Sequence, residues 1–270
     1  MVELENKYRI GIRRFGLVNW VGAFSLYKKE VLRFLIVSGQ TLIGPILTSI
    51  LFLVVISLAI GDERGDALGV PYIEFLASGL IMMQVIQQSF SHSSSSLMMS
   101  KMMGTIDDIV NSPLSPAEVT ISIVLASITR GLCIAFISTL IFVFILDLSI
   151  KNYFIWFLYL FLAGFFLGSA GFIAGLYADK FDQMATVTNF VIVPLSFLSG
   201  TFYSIDKLPH ILKLMSLYNP FFHMIDGFRY SFIGQLDGSL KLGISLLSII
   251  SLLTWYISYE LFKKGYKIKS

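Results

Sequence analysis

The sequence predicts an all-α integral membrane protein. It reads as six transmembrane helices, an N-terminal amphipathic interfacial helix, a cytoplasmic helix between spans two and three, and an outer re-entrant helical hairpin between spans five and six. Three observations predict this. Charged residues make up 14% of the 270 positions and hydrophobic ones 56%, whereas a soluble domain carries roughly 25% charged residues. Apolar runs of about 20 residues, the length that a hydrocarbon core about 30 Å thick requires, recur along the chain. Lysine and arginine gather at the two ends of the chain.

The elements follow in order. Residues 1–14 are polar and basic, and no cleavable signal peptide is expected before the first apolar run. From Phe15 to Phe34, the aromatic and apolar residues Trp20, Phe24, Tyr27, Val31 and Phe34 recur at helical spacing. Lys28, Lys29, Glu30 and Arg33 interrupt them, which predicts a helix along the interface with its aromatic face in lipid. Together, residues 1–34 form a cytoplasmic and interfacial N-terminus. The spans are expected at about 35–60, 72–89, 119–146, 153–177, 184–203 and 242–261, with a kink at Gly44 and Pro45. Short loops fall at 61–70, 147–152 and 178–183, and a long polar interval runs from Phe90 to Glu118. The chain is expected to form a single transmembrane domain over 1–270.

Orientation follows from the basic residues. Seven precede span one (Lys7, Arg9, Arg13, Arg14, Lys28, Lys29 and Arg33), and four lie in the tail (Lys263, Lys264, Lys267 and Lys269). The loop after span one holds Arg64 alone, and the loop after span three holds Lys151 alone. Both termini are therefore expected in the cytoplasm, with the Phe90–Glu118 interval beside them and residues 204–238 on the outer face.

The stretch from Val193 to Gly234 is too apolar for a soluble loop and too broken for a simple span. Pro209 and Pro220 interrupt it, and Asp206, Lys207, Lys213, Asp226 and Arg229 lie along it. A pair of short helices dipping into one membrane face satisfies both facts. Asp226 and Arg229, three residues apart, are placed to pair on one helical face and hold this cap together.

The cytoplasmic interval carries Leu97, Met98, Met102, Ile106, Ile109 and Val110 as an apolar stripe at helical spacing, with Asp107 and Asp108 beside it. Soft methionines on a short amphipathic helix suit docking into a partner's groove. A helix resting on lipid is the alternative, opposed by the acidic pair and by Lys101 being the sole basic residue there. Span four carries Gly164-x-x-x-Gly168 and Gly171-x-x-x-Gly175, spacings that let helices approach closely, either within the subunit or between copies.

Chemistry-bearing motifs are few. There is no GxxxxGK[ST], HExxH or GxSxG, so no nucleotide-binding or hydrolytic site is expected in this chain. Cys133 alone makes no disulfide, and His92, His210 and His223 are not spaced as a metal set. Arg130 is the clear ionisable residue within a span, placed to pair across helices or to face a polar cavity. Gln84, Gln87, Gln88, Thr186, Thr188 and Asn189 supply polar groups on spans two and five, where they either line a pathway or satisfy one another. Phe190, Phe197 and Phe202 form an apolar gate or face lipid.

Three runs together resemble the ABC-2 type permeases, the membrane subunits of bacterial ABC exporters. They are Asn111 through Val119 (NSPLSPAEV), Phe202 through Pro209 (FYSIDKLP), and Asn219-Pro220 followed by Gly227, Phe228, Arg229 and Tyr230. The resemblance spans nearly the whole chain. It implies two copies in the bacterial inner membrane, each bound to a separate cytoplasmic ABC ATPase that supplies ATP and Mg, with cargo moving outward. No cofactor would bind this chain and no nucleic acid would be a partner. It further implies that the helix from about Met98 to Val110 is the coupling helix, with Met98, Met102, Ile106, Asp107 and Asp108 at the ATPase. Asn219, Pro220, Asp226 and Arg229 would belong to the outer re-entrant cap, and spans two and five would line the pathway. An ion-coupled secondary carrier and a non-transporting scaffold remain as alternatives.

Overall fold

The computed structural model describes residues 18–60, 65–146 and 148–267. The basic residues of positions 1–14, together with Asp62, Glu63, Arg64 and Lys269, lie outside the described residues. The amphipathic helix α1 runs Trp20–Ile36, and a π turn Gly39–Ile43 leads into α2, Gly44–Ile60. The kink expected at Gly44 and Pro45 takes this form, because Pro45 has no N–H to give and the wider turn lets Gly44 donate to Gly39 O. Two short strands, β1 (Asp66–Ala67) and β2 (Val70–Pro71), pair antiparallel in the register Asp66 to Pro71. There follow α3 (Tyr72–Met102), α4 (Ile106–Asn111), α5 (Pro116–Leu146) and α6 (Tyr153–Tyr177). Beyond them, α7 (Phe181–Val187) and α8 (Val193–Ser196) are joined and followed by π turns, then come α9 (His210–Tyr218), α10 (Pro220–Ile233) and α11 (Leu240–Lys263).

Among the described residues, five stretches are long and apolar enough to cross a membrane: Gly39–Ala59, Pro116–Leu146, Tyr153–Tyr177, Phe181–Thr201 and Leu240–Lys263. The expected second span is not among them, and its helix differs from expectation in a second way. Rather than ending near Ser89, α3 continues to Met102, so the polar interval expected from Phe90 is helical. The serines explain this. Ser94 Oγ donates to Phe90 O at 2.9 Å and Ser95 Oγ to His92 O at 3.1 Å, so the hydroxyls spend themselves on their own helix. Every residue from Phe75 to Ile86 is buried, which makes α3 the central helix, enclosed by α2, α5, α6 and α10.

The small residues of α6 are spent inside the subunit. A Cβ on Gly164 would meet Ile128, and one on Gly168 would meet Ser127, both on α5. On the next turns, a Cβ at Gly171 would sit 2.3 Å from Phe90 O and one at Gly175 would sit 2.7 Å from Ser94 O, both on α3. The glycines of α6 and the serines of α3 thus form one close contact, the small-on-small packing that brings membrane helices together.

The apolar core falls into three parts. The largest joins α3, α6 and α10 through Phe75, Leu76, Tyr159, Phe228 and Ile225. A second, around Leu26, Leu97, Ile106, Ile109, Val119 and Phe172, ties α1 and α4 to the ends of α3, α5 and α6. A third joins Phe34, Leu42, Ile46 and Ile134. The aromatic face expected on α1 exposes Trp20 and Phe24. Phe34 departs from it, because its ring is buried in the protein rather than turned to lipid.

Candidate functional site

Three places gather the residues singled out by sequence. The first is the turn between α3 and α5. The continuous helix expected from Met98 to Val110 is broken: α3 stops at Met102, Gly104 takes the left-handed φ of +72°, and α4 starts at Ile106. A left-handed residue ends an α-helix, and glycine adopts it without steric cost. The break turns the apolar stripe inward. Met98 is 0% and Ile106 4% exposed, and both Leu97 and Ile109 are buried with them. These side chains are therefore spent on the protein's own core and present no apolar face outward. The exposed tip consists of Met102 at 60%, Met103 at 67%, Val110, Asp107 and Asp108.

Two clamps hold this tip. Lys101 Nζ donates at 2.8 Å to Leu176 O and at 2.8 Å to Ala178 O, closing the C-terminal end of α6. The Asp179 carboxylate lies 3.7 Å from the same ammonium. On the other side, Ser115 and Glu118 form a capping box at the start of α5: Glu118 Oε2 accepts from Ser115 N at 2.7 Å, and Ser115 Oγ accepts from Glu118 N at 3.3 Å. Glu118 Oε1 also accepts from Asn19 N at 2.6 Å, and Asn19 Nδ2 donates to Pro113 O at 3.0 Å. The run from Asn111 to Val119 is thus the clasp between α1 and α5. Its Ser-x-x-Glu spacing is the sequence signal for it, although the Asn19 partner has none.

The second place is the junction of α10 with the broken end of the Phe181–Thr201 stretch. Asn219 caps α10, its Oδ1 accepting from Phe221 N at 3.0 Å, and Pro220 holds the first helical position. Asn219 Nδ2 donates to Ser199 Oγ at 2.9 Å. At Ser199 and Gly200 the backbone leaves the helix, with Gly200 at φ +78°, and the carbonyls there lose their helical partners. Arg229 takes them up. It is 0% exposed, donates through Nη2 to Gly200 O at 2.7 Å and through Nε to Phe75 O at 3.3 Å, and lies over the Phe75 ring. Gly79 makes the room, since a Cβ there would sit 2.9 Å from Arg229 Nη2.

The Asp226–Arg229 pair expected from spacing does not form. Asp226 accepts from Asp237 N at 3.0 Å and Gly238 N at 2.9 Å, tying the loop after α10 back onto it. Buried on one helix, each residue meets a different set of orphan backbone groups, and that outweighs a contact across three residues.

The third place surrounds Arg130. This residue is buried on α5 and donates to Gln88 Oε1 on α3. Both line a cavity of about 360 Å³ with Arg33, Gln40, Thr41 and Ser91. Gln84 is buried on α3 and Gln87 is half-buried, whereas Thr186 and Asn189 are exposed. Thr186 and Thr188 return their hydroxyls to Asp182 O and Met184 O. The rings of Phe197 and Phe202 stack at 5.2 Å with Phe52 beside them, and Phe190 is exposed. His92 is buried on α3 with Nε2 3.8 Å from Glu30 Oε2.

Residues 22–233 match the family model described as ABC-2 type transporter. The chain is similar to the inner membrane transport permease YadH of Escherichia coli K12, 31% identical over 251 residues that cover 93% of this chain and 98% of that one. It is also similar to nodulation protein J of Neorhizobium galegae, 22% identical over 263 residues, 92% of this chain and 94% of that one. The nodulation protein J of Sinorhizobium fredii is 20% identical over 249 residues, 91% and 93% of the two chains.

Proposed function

The chain belongs to the ABC-2 type transporter family, and from that premise we propose that it is the membrane-spanning permease subunit of an ATP-driven exporter in the bacterial inner membrane. Two copies assemble, each seats a separate cytoplasmic ATPase that carries the ATP and Mg, and cargo moves outward. Both termini lie in the cytoplasm. On this reading α3 is the sixth span, and it needs no lipid-facing apolar surface because its neighbours enclose it. The α9–α10 segment is the outer re-entrant hairpin.

The observation that carries the reading is the exposed tip Met102, Met103, Asp107 and Asp108, held out between two long helices in a chain without a phosphate-binding loop. Methionines flanked by carboxylates suit a groove with a basic rim on another protein. Thr186 and Asn189, on the Phe181–Thr201 stretch, face the space between the two copies, whereas Gln84 is enclosed on α3 and Gln88 turns to Arg130. Exposure of Thr186 and Asn189 in the single chain agrees with that placement. The test is affinity purification of the tagged protein in mild detergent. A stoichiometric P-loop ATPase is expected; recovery of the chain alone, even after gentle crosslinking, would overturn the reading.

A further inference from the structure

The cavity beside Arg130 differs in kind from the other large ones. The groove between α1 and α5, lined by Trp20, Phe24, Leu125 and Phe161, is apolar, as is the one under α9. The Arg130 cavity collects side chains from four elements: Arg33 of α1, Gln40 and Thr41 of the π turn, Gln88 and Ser91 of α3, and Arg130 of α5. Its volume, about 360 Å³, falls in the range of roughly 300–1,000 Å³ typical of small-molecule sites.

The charges there do not cancel. One carboxylate, Glu30, is close, and it is already engaged: it accepts from Arg33 Nε at 3.0 Å and from Ser96 Oγ at 2.7 Å. Arg130 makes no ion pair among the described residues, and its one acceptor is the neutral Gln88 amide. Its Nε is buried with no partner among the described residues. Two guanidinium groups thus border one space, and the carboxylate of Glu30 pairs with Arg33. Guanidinium stays charged at any physiological pH, and a buried charge at membrane depth is retained where a counter-charge or a polar ligand meets it. Arg33 also donates to Ser95 Oγ at 3.4 Å and to His92 O at 3.1 Å, which leaves Arg130 the less satisfied of the two, and a planar guanidinium suits the oxygens of a phosphate group. Phe34, Val37 and Met99 complete the walls, an apolar lining for whatever the phosphate is attached to.

We propose that this cavity binds a phosphate-bearing head group, with Arg130 as the principal ligand and Arg33 as the second. The position fits an amphiphile, because α1 exposes Trp20 and Phe24 as an interfacial helix does. The same chemistry serves a membrane phospholipid or a soluble phosphate ester. The site stands apart from the export reading, since its occupancy is measured without any ATPase.

The experiment uses the purified full-length protein in detergent. In one arm phosphatidylglycerol is titrated and bound lipid is read by native mass spectrometry; in the other, glycerol 3-phosphate is titrated and thermal stability is read. Binding in the first arm alone assigns the site to a membrane lipid, and binding in the second to a soluble ester. Arg130→Gln is expected to weaken binding by about tenfold or more, the equivalent of one lost charge-assisted hydrogen bond. Because Arg130→Gln removes a buried contact, Gln40→Glu serves as the second variant: it places a carboxylate at an exposed edge of the cavity and is expected to abolish binding while the fold stays intact. Failure of both ligands to bind wild-type protein would overturn the proposal, as would binding unchanged in both variants.

Discussion

The guanidinium carbon of Arg229 lies 3.7 Å from the centre of the Phe75 ring. One face of the group is thereby covered by an aromatic ring of α3, while its edge donates to the carbonyls at the break after Ser199. Arg229 joins three pieces: α10, the central helix, and the interrupted Phe181–Thr201 stretch. A planar cation is required for that, because stacking and forked donation act together.

Arg229→Ala is therefore expected to lower stability by about 2–3 kcal/mol, the cost of leaving buried acceptors without a charged donor. Arg229→Lys is expected to recover little of it, since an ammonium cannot stack and fork at once. Thermal unfolding in detergent reads both. Transport in vesicles is expected to fall further than ATPase binding does, because the lock sits away from the α3–α4 tip. Wild-type stability and transport in Arg229→Ala would remove Arg229 from this role.

The tip makes a paired prediction. Met102 and Met103 are exposed, so Met102→Asp together with Met103→Asp is expected to leave insertion and thermal stability unchanged and to reduce co-purification of the ATPase. Ile106 is buried at 4% exposure, so Ile106→Asp is expected to destabilise the chain itself by several kcal/mol, roughly the penalty for an unpaired buried charge. Equal effects of the two substitutions on stability would contradict the break at Gly104.

The contact of α6 with α3 gives a third. Gly171→Ala places a methyl group 2.3 Å from Phe90 O and is expected to cost about 1–3 kcal/mol through forced separation of the helices. The loss is expected in the isolated subunit as well as in any assembly, because the contact is internal. Thermal unfolding followed by size-exclusion chromatography distinguishes this from weakened association of copies.

The clasp gives a fourth. Glu118→Gln and Ser115→Ala each weaken the start of α5, and an expected cost of about 1 kcal/mol follows from the lost cap. Glu118→Gln also loosens Asn19, so the Asn19 amide, which donates to Glu118 Oε1, is expected to label faster with deuterium in that variant. Unchanged labelling would show that α1 is held by its apolar contacts alone.

Much of this was legible in the sequence because length and apolar periodicity report directly on helices. The span at Tyr153–Tyr177 matches its expected bounds, and the capping of α10 by Asn219 and Pro220 follows from residue type. The serine run was not legible in the same way. Ser93 through Ser96 read as part of a polar interval by composition, yet they lie within α3, where Ser94 and Ser95 bond to their own helix, Ser96 reaches Glu30 of α1, and Ser94 packs against Gly175 of α6. The apolar stripe from Leu97 to Val110 was visible, but periodicity cannot show that Gly104 takes a left-handed turn and folds the stripe inward. Nor can spacing reveal which acceptors a buried arginine will find. Arg229 meets carbonyls freed by a break 29 residues earlier in the chain, a relation that only the fold creates.

The central claim is that the α3–α4 tip seats the ATPase, and in-cell photocrosslinking from position 103 tests it most directly. A crosslinker in place of Met103 is expected to capture a P-loop ATPase, while one in place of Leu242, at the start of α11, captures none. Capture from Leu242, or none from position 103 in a protein that is inserted and stable, would contradict it.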